Sequence, residues 1–169
     1  MIININGTNI NYEIFGDGKP LLLLHGWGAC INSMAPIWQF FKNNFKVYVL
    51  DFPMQGNGSD EPKVPWGVPE YSEMVRSFMQ KLNISKPNVI AHSFGGRVTI
   101  YLASKYKDLF DKIVLVDAAG VKPKQTLKKR FKKIIFLYDA DQTGVKESEA
   151  RVKEFKEDFN VSNIHLPLA

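Results

Sequence analysis

A chain of 169 residues, 45% of them hydrophobic, is long enough for one domain with a sizeable core and too short for two. Apolar runs such as Leu21 to Leu24 fall far short of a bilayer span, and the opening MIININGTNI lacks the basic start and long apolar centre of a signal peptide, so a soluble cytoplasmic protein is expected. The net charge of +5 is local: residues 121–133 (VKPKQTLKKRFKK) hold seven Lys/Arg and no acid, leaving fifteen bases against seventeen acids elsewhere, which reads as a solvated connector in preference to a nucleic-acid patch.

In chain order, IININGTNINYEIFG alternates apolar and polar residues on either side of Asn6 and Gly7, a dipeptide suited to a tight turn, and predicts an antiparallel hairpin. PLLLLHG and KVYVLDF are unbroken apolar runs, as expected of strands buried on both faces. Between them Met34, Ile37, Trp38 and Phe41 recur at helical spacing, and after a turn-rich stretch from Pro53 to Pro69 so do Tyr71, Met74, Val75, Phe78, Met79 and Leu82. Then follow a strand, NVIAH, a helix from Gly95 to Tyr106 with Val98, Leu102 and Ala103 inward, and a strand, KIVLVDA. Beyond the basic connector the pattern predicts a strand in IIFLYDA, a helix from about Val145 to Phe159, and a last strand near NIHLPL. Alternating strands and helices predict an α/β fold with a mostly parallel sheet covered on both faces. The organisation expected is one domain, with a core over 1–120, a connector over 121–133 and a strand-helix-strand over 134–169.

The sharpest chemical signal is AHSFGG, where a buried strand passes through Ser93 directly into a helix. So tight a bend holds a serine hydroxyl clear of the sheet at a helix N-terminus, and it needs small residues two before and two after, here Ala91 and Gly95. A phosphate-binding turn would carry glycines ahead of the bend or a following Lys beside Ser/Thr, and neither occurs. His92 is read as a packing residue.

HGWG at 25–28, DFPMQGNGSDEP at 51–62, AHSFGG at 91–96 and VLVDAAG at 114–120 occur together and in order. Over residues 1 to about 125 the chain therefore resembles α/β-hydrolase-fold enzymes of the lid-bearing, epoxide-hydrolase or proline-iminopeptidase-like type. The resemblance implies that the backbone N–H groups of Trp27 and Phe94 form an oxyanion hole around the Ser93 nucleophile. Two departures concern the loop after Asp51: Met54 stands where the family has glycine, and Gly58 is an extra residue before Ser59. A third is the short connector at 121–133, where lid-bearing relatives insert several helices, so an open pocket and a preference for small activated esters are expected.

The chain order of this fold places the acid and then the histidine base after the serine. Similarity to the family favours Asp141 as the acid, with Asp139 as the alternate. His165 is the base on offer, or else a strand histidine with no catalytic part. From Ile134 onward the chain also resembles the second half of a Toprim domain, whose Asp-x-Asp-and-Gly pattern is met by Asp139, Asp141 and Gly144 and would take a divalent cation. The expected activity is that of a serine hydrolase acting through an acyl-enzyme on an ester or amide-type carbonyl of a small molecule, with no cofactor, no metal and no membrane or nucleic-acid partner. The alternatives are a non-catalytic hydrolase fold, or metal or nucleic-acid binding through the tail and the Lys128, Lys129 and Arg130 cluster. Cys30 stands alone, which excludes an internal disulfide, and no Cys/His group has zinc-ligand spacing.

Overall fold

The computed structural model describes residues 1–56 and 59–118, together with the backbone of two further strands at 134–138 and 162–165. The hairpin comes first: β1 (Ile2–Ile5) and β2 (Thr8–Phe15) pair antiparallel with Ile5 opposite Thr8. The two-residue connection is Asn6 and Gly7, with φ of 51° and 88°, the double positive φ that matches the twist of the flanking strands. After β3 (Lys19–Leu24) a short 3-10 turn leads into α1 (Ala35–Phe41), followed by β4 (Phe45–Leu50), α2 (Val68–Lys81), β5 (Asn88–His92), α3 (Phe94–Lys105) and β6 (Ile113–Val116). The strands described at 134–138 and 162–165 are β7 (Ile134–Tyr138) and β8 (Ser162–His165).

These strands form one sheet in the order β1-β2-β4-β3-β5-β6-β7-β8. Only β1 with β2 and β2 with β4 pair antiparallel; from β4 across to β8 every pairing is parallel. The tail strands thus continue the sheet that carries Ser93. The helix predicted near 145–159 lies outside the described residues.

The unbroken apolar runs are explained by the two faces. Leu22, Leu24, Tyr48, Leu50, Val89 and Ala91 face a core shared with α2 and α3, while their neighbours Leu21, Leu23, Val47, Val49 and Ile90 pack on the α1 side with Ile31 and Met34. Alternation in a strand sends successive side chains to opposite faces, so a strand covered on both must be apolar throughout. Helix α2 buries Tyr71, Met74, Val75, Phe78 and Met79 of the predicted stripe, whose last member, Leu82, is the partly buried C-cap, and Pro69 in its first turn suits a helix start. Phe78 is fully buried and meets Tyr12 edge-on at 5.4 Å; its truncation to alanine is expected to cost about 3–5 kcal/mol.

Glu73 of α2 is clamped to Lys105 and Tyr106 at the end of α3. The Glu73 carboxylate accepts hydrogen bonds from Lys105 Nζ at 2.8 Å, Tyr106 Oη at 2.7 Å and Arg76 Nε at 2.7 Å. Those donors, Lys105 foremost and then Tyr106, hold the carboxyl down at about 2.

Candidate active site

Strand β5 delivers Ser93 to the C-terminal edge of the sheet, and α3 begins at the next residue. Ser93 has φ 45° and ψ −107°, a strained conformation for a residue with a Cβ, and its hydroxyl makes no capping hydrogen bond to the helix it precedes. The bend is fastened on both sides. Ser93 N–H donates to Val116 O of β6 at 2.9 Å, and Gly95 N–H donates to His25 O, just past β3, at 3.1 Å. A Cβ on Gly95 would lie 2.5 Å from Leu24 O, so glycine is obligatory two residues past the serine. Ala91 is fully buried and fits two residues before it.

The loop after β3 supplies the opposite wall. Gly26 packs so closely on Ser93 that a Cβ there would come within 3.3 Å of Ser93 Cβ and 2.8 Å of His92 Nδ1. Residues 26–29 form a turn closed by Ala29 N–H to Gly26 O at 3.2 Å, with φ 75° at Gly28. Among the described residues, neither the Trp27 N–H nor the Phe94 N–H has an acceptor. Above them the rings of Trp27, Phe94, Tyr71, Phe52 and Trp66 meet edge-to-face at centroid distances of 5.1–6.0 Å, and Trp27 is 60% exposed.

A buried polar network fixes that loop. His25 Nε2 accepts the Phe52 N–H at 3.1 Å, so the proton sits on Nδ1, which donates to Gly26 O at 2.7 Å. Burial pushes the imidazole below its ordinary value, outweighing the Gly26 carbonyl and Asp51, so His25 is neutral. Asp51 is itself buried and accepts hydrogen bonds from Ile31 N–H at 2.7 Å and Asn11 Nδ2 at 2.8 Å. Ser59 Oγ donates to Asp51 O at 2.8 Å and accepts the Asn11 N–H at 2.9 Å. Sequence patterns gave His25, Asn11 and Gln55 no role. The clue present was that His25 and Asp51 each end an apolar strand, where a buried polar residue must find partners.

The departure at Met54 resolves cleanly. Met54 adopts φ 64°, the left-handed conformation glycine usually supplies, and its side chain is exposed. Met54 thus retains the backbone form that a glycine would adopt there. Gly58, the extra residue, lies outside the described residues.

Of the acid and base predicted from sequence, Asp141 and its alternate Asp139 lie outside the described residues, as do Gly144 and the basic connector. The backbone of His165 ends β8, opposite Tyr138 of β7. Its row runs through Tyr138 to the residue after Val116 and then to Ser93, three strands across, or about 14 Å at the usual strand spacing.

Residues 19–155 match the family of the alpha/beta hydrolase fold. The chain belongs to the α/β-hydrolase fold family. The match runs on through residues 134–155. Similar proteins include an uncharacterized protein of Mycobacterium tuberculosis, 29% identical over 69% of this chain and 34% of its own length. A soluble epoxide hydrolase of a Corynebacterium species is 30% identical over 67% of this chain and 39% of its own length. The enol-lactonase of Burkholderia xenovorans superposes on this hydrolase-fold chain with a TM-score of 0.82 at 14% identity, covering 98% of this chain and 91% of that one. The chain spans about a third of the length of the first of these sequence relatives. No helix among the described residues is long and apolar enough to cross a membrane.

Proposed function

We propose that this chain is a serine hydrolase that attacks an ester or amide-type carbonyl through an acyl-enzyme on Ser93. The strained, partly exposed serine at the mouth of β5 carries this reading. In it, Ser93 Oγ adds to the carbonyl carbon and the oxygen takes up the charge between the Trp27 and Phe94 N–H groups. The alcohol or amine leaves with a proton, and water then releases the acid. Donors fixed by the backbone need no reorganisation when that charge forms, which is why two N–H groups without an acceptor among the described residues support the assignment.

Chain order supports Asp141 as the orienting acid and His165 as the base. To serve Ser93, the imidazole must bridge the ends of β6 and β7, so we propose slow turnover. With the base poorly placed, the elbow and the oxyanion donors alone still supply about 10³–10⁴ over the reaction in water. Only residues 117–133 separate β6 from β7, and the aromatic rings around Ser93 offer an apolar surface to the acyl group. The substrates proposed are small activated esters.

A series of p-nitrophenyl esters from acetate to bulky acyl groups tests this. A kcat/KM for acetate at least equal to that for the bulkier esters, abolished in Ser93→Ala, is the expected result; strong selectivity for one bulky ester contradicts the open site. His165→Ala is expected to lower kcat by less than the roughly hundredfold that a well-placed base supplies, and no loss at all removes His165 from the assignment.

A further inference from the structure

Gln55 is 7% exposed, and its two ends differ. Oε1 accepts the Gly28 N–H at 2.9 Å, whereas Nε2 is buried with no hydrogen-bond partner among the described residues. An apolar side chain of similar size would avoid burying an unpaired donor, so stability alone argues against glutamine here. What glutamine adds is an acceptor for one particular N–H.

That N–H belongs to the peptide between Trp27 and Gly28, the central peptide of the 26–29 turn. Gly28, with φ 75°, gives the turn its type II character, and the competing type I form differs by rotation of this same peptide. Holding the Gly28 N–H therefore selects one of two turn conformations. It also fixes ψ of Trp27, in a turn whose first residue, Gly26, packs on Ser93. The left-handed Met54 and the turn from Gln55 N–H to Phe52 O, 2.9 Å, bring the amide into place from across the site.

We infer that Gln55 is a positioning residue that holds the Trp27–Gly28 peptide in one orientation and so steadies the turn whose first peptide carries the Trp27 N–H, and that it does so at a cost in stability. The inference rests on reading Ser93 as the nucleophile and Trp27 as a donor.

Gln55→Met and Gln55→Glu in the full chain test it with p-nitrophenyl acetate, thermal melting and fluorophosphonate labelling of the unmutated protein. For Gln55→Met, kcat falls about tenfold, less than the loss of a whole oxyanion donor, with KM within about twofold. Its Tm is equal or higher. Gln55→Glu keeps an acceptor for Gly28 and recovers most of the lost kcat. An unchanged kcat in Gln55→Met, equal losses in both variants, or failure of Gln55→Met to fold overturns the inference while leaving Ser93 in place. An unmutated protein that does not label overturns the nucleophile reading itself and this inference with it.

Discussion

His25 accepts the backbone N–H of Phe52 at 3.1 Å while its other nitrogen donates to Gly26 O at 2.7 Å, so one buried ring ties the loop after β3 to the loop after β4. His25→Phe fills the space and leaves both backbone groups unpaired. Each unmade bond costs about 1–3 kcal/mol, so a loss of about 3 kcal/mol is expected in urea denaturation. The unmutated chain also loses stability as pH falls below 6.5, because the unfolded imidazole takes a proton there and the folded one resists until lower pH. His25→Phe flattens that slope.

A second acid-sensitive element lies between the helices. The folded Glu73 carboxyl titrates at about 2, against 4.5 ordinarily, so its contribution is full above 4.5 and is lost as pH falls toward 2. Because Glu73 is partly exposed, screening reduces the effect, and Glu73→Gln is expected to cost about 1 kcal/mol at pH 7. Melting curves at pH 7 and pH 2 should differ less for the variant than for the unmutated chain.

Met54→Gly is expected to stabilise the protein by about 1 kcal/mol, since the left-handed φ of 64° costs a residue with a Cβ about that much and the exposed side chain packs little. A lower Tm in this variant would show that the methionine side chain holds the loop by contacts of its own.

The elbow itself stores strain, so Ser93→Gly and Ser93→Ala, both without the hydroxyl, should differ. Glycine tolerates φ 45° and alanine does not, which predicts a Ser93→Gly protein about 1 kcal/mol more stable than Ser93→Ala. Equal stabilities in guanidinium titration would mean that the bend relaxes without the serine.

Features set by local chemistry were legible in the sequence. Asn6 and Gly7 specify their turn because few other residues accept two successive positive φ values, and Ser93 declares its bend because Ala91 and Gly95 are the small residues that bend requires. The runs in β3, β4 and β5 were legible because burial on both faces leaves no polar position. Gln55 was not, since its partner is 27 residues away in another loop and no periodicity marks it. The place of His165 was half legible: its strand follows from the pattern NIHLPL, but its separation from Ser93 follows from the order of strands across the sheet, which pairing decides.

Mass spectrometry of the intact chain after a fluorophosphonate, followed by peptide mapping, bears most directly on the nucleophile. A single adduct on Ser93, absent from Ser93→Ala and from the urea-unfolded protein, is the expected result. An unmodified chain, or an adduct carried equally by Ser93→Ala, would contradict it.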